Sequence, residues 1–85
     1  MDKKNKEIWA YHSMKKETYD NDYYFYEDGS ILHHYDRTMN KRDIEEYVNP
    51  SDISESEKEK IIIKCESECN QEIVNQIKRI LNIKL

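Results

Sequence analysis

Two spacings of apolar side chains divide this chain. Between residues 8 and 37 they fall mainly at alternate positions, the period of a strand, and after residue 53 they recur three and four apart, the period of a helix. In "EIWAYHSM", Trp9 and Tyr11 fall on one side and Ile8, Ala10 and His12 on the other. A helix through Ile8, Tyr11 and His12 competes, but a strand is preferred because it gives the following hairpin a partner. "KKETYDND" reads as loop. Asp28-Gly29 then joins "YYFYE" to "SILHHYD", the strongest short-range hairpin signal there is.

Farther on, "KRDIEEYV" predicts a short helix capped by Asn40 or Thr38 and ended at Asn49-Pro50, because a residue before proline avoids helical geometry. Ser54 with Glu57 three residues later forms a capping box that opens "ESEKEKIIIKCESE". Ser67 or Asn70 caps a last helix whose Ile73, Val74, Ile77, Ile80 and Leu81 make one apolar stripe. The expected fold is α+β: a three-stranded antiparallel meander followed by two or three helices packed on one face. Residues 1–85 read as one small domain, with 1–6 disordered, 8–37 forming the sheet region and 40–83 the helical region. No repeat or linker divides the chain.

Turn geometry decides which aromatic side chains of the hairpin share a face. A two-residue Asp28-Gly29 turn pairs 26 with 31, placing Tyr24, Tyr26, Ile31, His33 and Tyr35 together and Tyr23, Phe25, Leu32, His34 and Asp36 opposite. A three-residue Glu27-Asp28-Gly29 loop with a glycine bulge flips the partner strand and joins Tyr23 and Phe25 to Ile31, His33 and Tyr35.

Composition narrows the function classes. Charged residues are 38% of the 85 and hydrophobic ones 36%, so burial must be concentrated on few faces, and a homodimer through the Ile-rich last helix or "IIIKC" would add to it. The formal net charge is -4, with residues 18–36 carrying -5 and 49–70 carrying -3 against +2 at each end. That acidic middle argues against gripping a phosphate backbone. The remaining route to nucleic acid stacks bases on the tyrosines while Lys15, Lys16, Arg37, Lys41 and Arg42 meet phosphates. No apolar run approaches the ~20 residues of a membrane span, and no apolar segment follows the charged N-terminus, so a cytoplasmic protein is expected.

Candidate chemistry is thin. His33 and His34 are adjacent, and neighbours on a strand point to opposite faces, so they do not share one metal ion. Cys65 and Cys69, four apart, fall on one helix face with Ile61 and Ile62 and read as reduced, core-forming thiols, so no metal or cofactor is expected. A single glycine rules out a Gly-rich phosphate loop. No nucleophile sits in a strand-to-helix elbow, so no catalytic residue is assigned; a small hydrolase or ribonuclease using His33 or His34 is the enzymatic alternative.

The reading reached from the residues is a small acidic, non-enzymatic module that binds another protein with a basic surface, as an inhibitor or immunity-type factor would. Its contact residues are expected to be Tyr24, Tyr26, His33 and Tyr35 on the sheet, with Asp52, Glu55, Glu57 and Glu59 in the acidic run.

Overall fold

The hairpin at Gly29 closes through three residues. In the computed structural model, which describes residues 6–15, 19–36 and 43–83, the Gly29 N–H donates to the Tyr26 carbonyl at 2.9 Å and the Tyr26 N–H to the Ser30 carbonyl at 3.1 Å. Gly29 takes φ 91°, a conformation in which a Cβ would be strained. The Asp28 carboxylate closes the loop by accepting from the Ser30 amide and hydroxyl at 2.8 and 2.6 Å. Phe25 therefore pairs with Ile31, Tyr24 with Leu32 and Tyr23 with His33.

Strands β1 (Glu7–Lys15), β2 (Tyr19–Tyr26), β3 (Ile31–Tyr35) and β4 (Ile44–Val48) form one antiparallel sheet in sequential order. The first strand and the hairpin form where the alternation places them, except that the register shifts between Glu7 and Trp9 and Ile8, expected on the face of Ala10 and His12, packs against the core with Trp9. Two further expectations are corrected. The segment read as loop contributes Tyr19 to Asp22 to β2, where they pair with His12 to Lys15. The segment read as the helix "KRDIEEYV" supplies a fourth strand, with Ile44 opposite Tyr35 and Val48 opposite Ile31. The outer edge of β3 would otherwise leave a row of backbone donors and acceptors without partners, and that tertiary demand overrides the local helix propensity. The caps Asn40 and Thr38 and the tail 1–5 lie outside the described residues; Lys6 is held by its carbonyl, which accepts from the Glu27 N–H at 2.9 Å.

A 3₁₀ turn at Pro50–Asp52 leads into two helices, α1 (Glu55–Glu68) and α2 (Gln71–Ile80). Ser54 caps α1 by accepting from the Glu57 N–H at 3.1 Å, and Asn70 caps α2 by accepting from the Ile73 N–H at 3.0 Å. Without a glycine to end it, α2 stops on Asn82 at φ 63°, the usual substitute in the left-handed region, and the Ile83 N–H reaches the Lys78 carbonyl at 2.9 Å.

Both helices pack on one sheet face. Tyr11, Tyr23, Phe25 and Ile31 meet Ile53, Ile61 and Cys65 from the α1 side and Val74, Ile77 and Leu81 from the α2 side. Trp9 stacks on Phe25 with ring centroids 6.0 Å apart, and its indole N–H donates to Glu68 Oε1 at 3.1 Å, tying β1 to the end of α1. That bond, with the neighbouring Lys64, holds the Glu68 carboxyl below its usual range. Cys65 lies in this core, where burial pushes its thiol up to about 12.

Candidate surface on the helix-free sheet face

Two rows of side chains cross the sheet on the face away from the helices. Ala10, Tyr24, Leu32 and Tyr47 stand side by side on β1 to β4, and His12, Asp22, His34 and Glu45 form the next row. Tyr26, opposite Glu7, extends the first row along β2. These positions alternate with the core-facing residues of the same strands, which is why the sheet can be aromatic on both sides. Tyr47 is 68% exposed and Leu32 lies outside the core cluster, so the first row is an apolar, aromatic strip without a cover among the described residues.

Its electrostatics are acidic. Burial first, and then the nearby Asp22, Glu7 and Glu45 carboxylates, raise the Tyr24 phenol above its ordinary value. Burial, Glu7, Tyr47 and Glu45 do the same to Tyr26. Both hydroxyls are thus neutral donors at physiological pH. In the second row His34 is hydrogen-bonded at both ring nitrogens, Nδ1 to Asp22 Oδ2 at 3.3 Å and Nε2 to Asp43 Oδ1 at 3.1 Å, and His12 Nδ1 lies within ion-pair distance of the other Asp22 oxygen, at 3.2 Å. The Asp22 side chain is 12% exposed and that of His12 65%. Burial works against a charged His34, but the bonds to Asp43 and Asp22 outweigh it, and its pKa sits above the usual histidine value.

The expected contact residues do not form one surface. Tyr24 and Tyr26 are on this open face. His33 and Tyr35, expected beside them, point to the helix side, because the three-residue loop shifts β3 by one residue and a one-residue shift exchanges the faces. There His33 lies between Tyr23 and Tyr35, with ring centroids 4.4 and 4.5 Å away, and its Nε2 meets Asn21 Oδ1 at 2.7 Å. Tyr35 donates to Glu46 Oε2 at 2.8 Å. Burial raises the Tyr23 phenol to about 12. The acidic group sits in the helical layer: Asp52 accepts from the Asn49 N–H at 2.9 Å, Glu55 lies 3.7 Å from Lys58, Glu57 follows the Ser54 cap, and Glu59 lines a groove with Ile62, Ile63 and Ile83.

His33 and His34, chosen for the hydrolase alternative, both have ring nitrogens occupied by side-chain partners. The histidine with a carboxylate behind it and solvent in front is His12. Sequence reasoning missed Asp22, Asp43 and Tyr47, and only the register of β1 on β2 and the existence of β4 could have revealed them. Lys16, Arg37, Lys41 and Arg42 of the nucleic-acid alternative lie outside the described residues. Among the described residues no cluster of histidine, cysteine and carboxylate side chains is arranged to hold a metal ion, and no helix is long and apolar enough to cross a membrane.

Comparison with family models, curated proteins and solved structures finds no match to this chain.

Proposed function

We propose that this protein is a small binding module that docks a basic partner protein onto the helix-free face of its sheet, in the manner of an inhibitor or immunity-type factor that covers a basic site. The observation that carries this reading is the strip Ala10, Tyr24, Leu32 and Tyr47, extended by Tyr26 and bordered by Glu7, Glu45 and Asp43. Aromatic side chains are what protein interfaces concentrate at their centres, and a border of one charge sign selects the opposite sign and speeds encounter. The charged groups that act on its tyrosines are the carboxylates of Asp22, Glu7 and Glu45, so its complement is a surface of lysine and arginine around an apolar centre. A reducing cytoplasm suits the two free cysteines of the described fold.

The test is affinity capture from nuclease-treated host lysate with the wild type, a Tyr24→Ser/Tyr26→Ser/Tyr47→Ser variant, and a Glu7→Lys/Glu45→Lys variant, each first shown to be folded. The reading expects one basic protein that the wild type retains, that both variants lose, and whose association slows as salt is raised. It is overturned if the tyrosine variant keeps the partner, if the retained species is nucleic acid in an untreated lysate, or if the wild type retains nothing above background.

A further inference from the structure

The position of His34 has a consequence that is independent of any partner. Its two ring nitrogens each face a carboxylate oxygen, Asp22 Oδ2 at 3.3 Å and Asp43 Oδ1 at 3.1 Å. A neutral imidazole has one N–H and one lone pair, so only the imidazolium can donate to both. We propose that His34 is a proton-operated latch that pins the start of β4 to the sheet, closed when the ring is protonated and released at Asp43 when it is not.

The two carboxylates differ in how firmly they are held. Asp22 is nearly buried and is hydrogen-bonded by His34 Nδ1, and leaving a buried carboxylate without its donor is costly. The Asp43 side chain is 82% exposed and can turn to water. When His34 loses a proton, the remaining N–H therefore stays on the Asp22 side, and the bare Nε2 lone pair is left facing the Asp43 carboxylate, which swings away.

Asp43 is well placed to transmit that loss. It sits at φ 57°, in the left-handed region that a non-glycine residue holds only under constraint, and is the residue immediately before β4. Its backbone N–H donates to Asp36 Oδ1 at 2.9 Å, and its side chain supplies the second tie through His34. Asp36 in turn accepts from the Asp20 N–H at 3.1 Å, so the tie reaches β2. Among the described residues β4 pairs only with β3 and is an edge strand, the kind of element that opens locally at low cost. Among the described residues the groups facing His34 are Asp22 of β2, with His12 of β1 behind it and Tyr24 beside it, Asp43 in the connection, and Glu45 directly across on β4. Both helices lie on the other face.

The experiment is NMR on the full chain between about pH 5 and pH 8.5, a range that brackets the ordinary histidine value. The histidine ring signals and the exchange protection of the amides of Ile44–Val48 are followed together, the latter normalised to intrinsic exchange. Protection is expected to fall roughly three- to tenfold as His34 deprotonates, the scale of one lost, partly exposed charge-assisted hydrogen bond. In Asp43→Asn, whose amide can satisfy either form of the ring, the fall should vanish while the fold persists. In His12→Gln it should remain, which separates His34 from its neighbour. Flat protection in the wild type, an unchanged fall in Asp43→Asn, or its disappearance in His12→Gln would each overturn the proposal.

Discussion

The two faces of one sheet carry nearly the same kinds of side chain and meet different fates. On the helix side, Trp9, Tyr11, Tyr23, Phe25 and Ile31 close against Ile61, Val74, Ile77 and Leu81, and Phe25 is wholly buried. On the other side, Tyr24, Tyr26, Leu32 and Tyr47 stand over the same strands with nothing described above them, beside a row in which His34 is hydrogen-bonded to Asp22 and Asp43 and His12 lies against Asp22. Aromatic content therefore does not distinguish core from surface in this chain. What distinguishes them is which parity of residue the helices cover, with polar groups on both faces satisfied by partners: Asn21 by Ser13 and His33 below, Asp22 by His34 above.

The contrast breaks first at Phe25. Phe25→Ala should cost about 3–5 kcal/mol, enough to abolish a cooperative urea transition in a domain this small, whereas Tyr24→Ala should cost less than about 1 kcal/mol. Equal losses from the two variants would erase the difference between the faces. A second pair sharpens it within α1: Ile61→Ala at the core should cost about 2–4 kcal/mol, and Ile63→Ala, 66% exposed, about 0.5 kcal/mol or less.

Gly29→Ala addresses the loop that sets the register. No neighbouring atom lies within 4 Å of the added Cβ, so the expected loss of about 1–2 kcal/mol comes from the positive φ alone. Thermal unfolding should show that loss without any change in the helical circular dichroism of the folded state. A larger loss accompanied by altered cross-strand NMR contacts would mean that the loop, and with it the assignment of faces, had rearranged.

The smallest effect is the pH response of the open face. His34 has a folded-state pKa above its unfolded value, so its contribution to stability is fully present below about pH 6.5 and is lost as pH rises through the elevated folded value. Melting temperatures in a buffer series should decline across that window in the wild type, and His34→Gln should flatten the decline. An equal slope in the variant would assign the response to another group.

Much of the architecture was legible from local chemistry. Ser54 and Asn70 cap the helices as their side chains dictate, because an N-cap oxygen needs only amides two or three residues away. The Ile73 to Leu81 stripe buries Val74, Ile77 and Leu81 within the chain. Asp28-Gly29 marks the hairpin. Where the reading went astray, at Ile44–Val48 and Tyr19–Asp22, the deciding interaction came from a distant strand: β3 and β1 needed backbone partners, and segments of ambiguous propensity supplied them.

The candidate site follows the same division. By itself the sequence determined that this is an acidic chain folding as strands and then helices, with a tyrosine-rich hairpin around its only glycine. It left two registers open for that hairpin, since alternate positions on each strand are apolar in either case. Tertiary structure made the choice. The three-residue loop sends Tyr23 and Phe25 to the core with Ile31, leaves Tyr24 and Tyr26 outside, and puts His12, Asp22 and His34 in one row. A strand's side chains alternate, so one residue of register exchanges core for surface, and only the packing of helices on one face can select between the two.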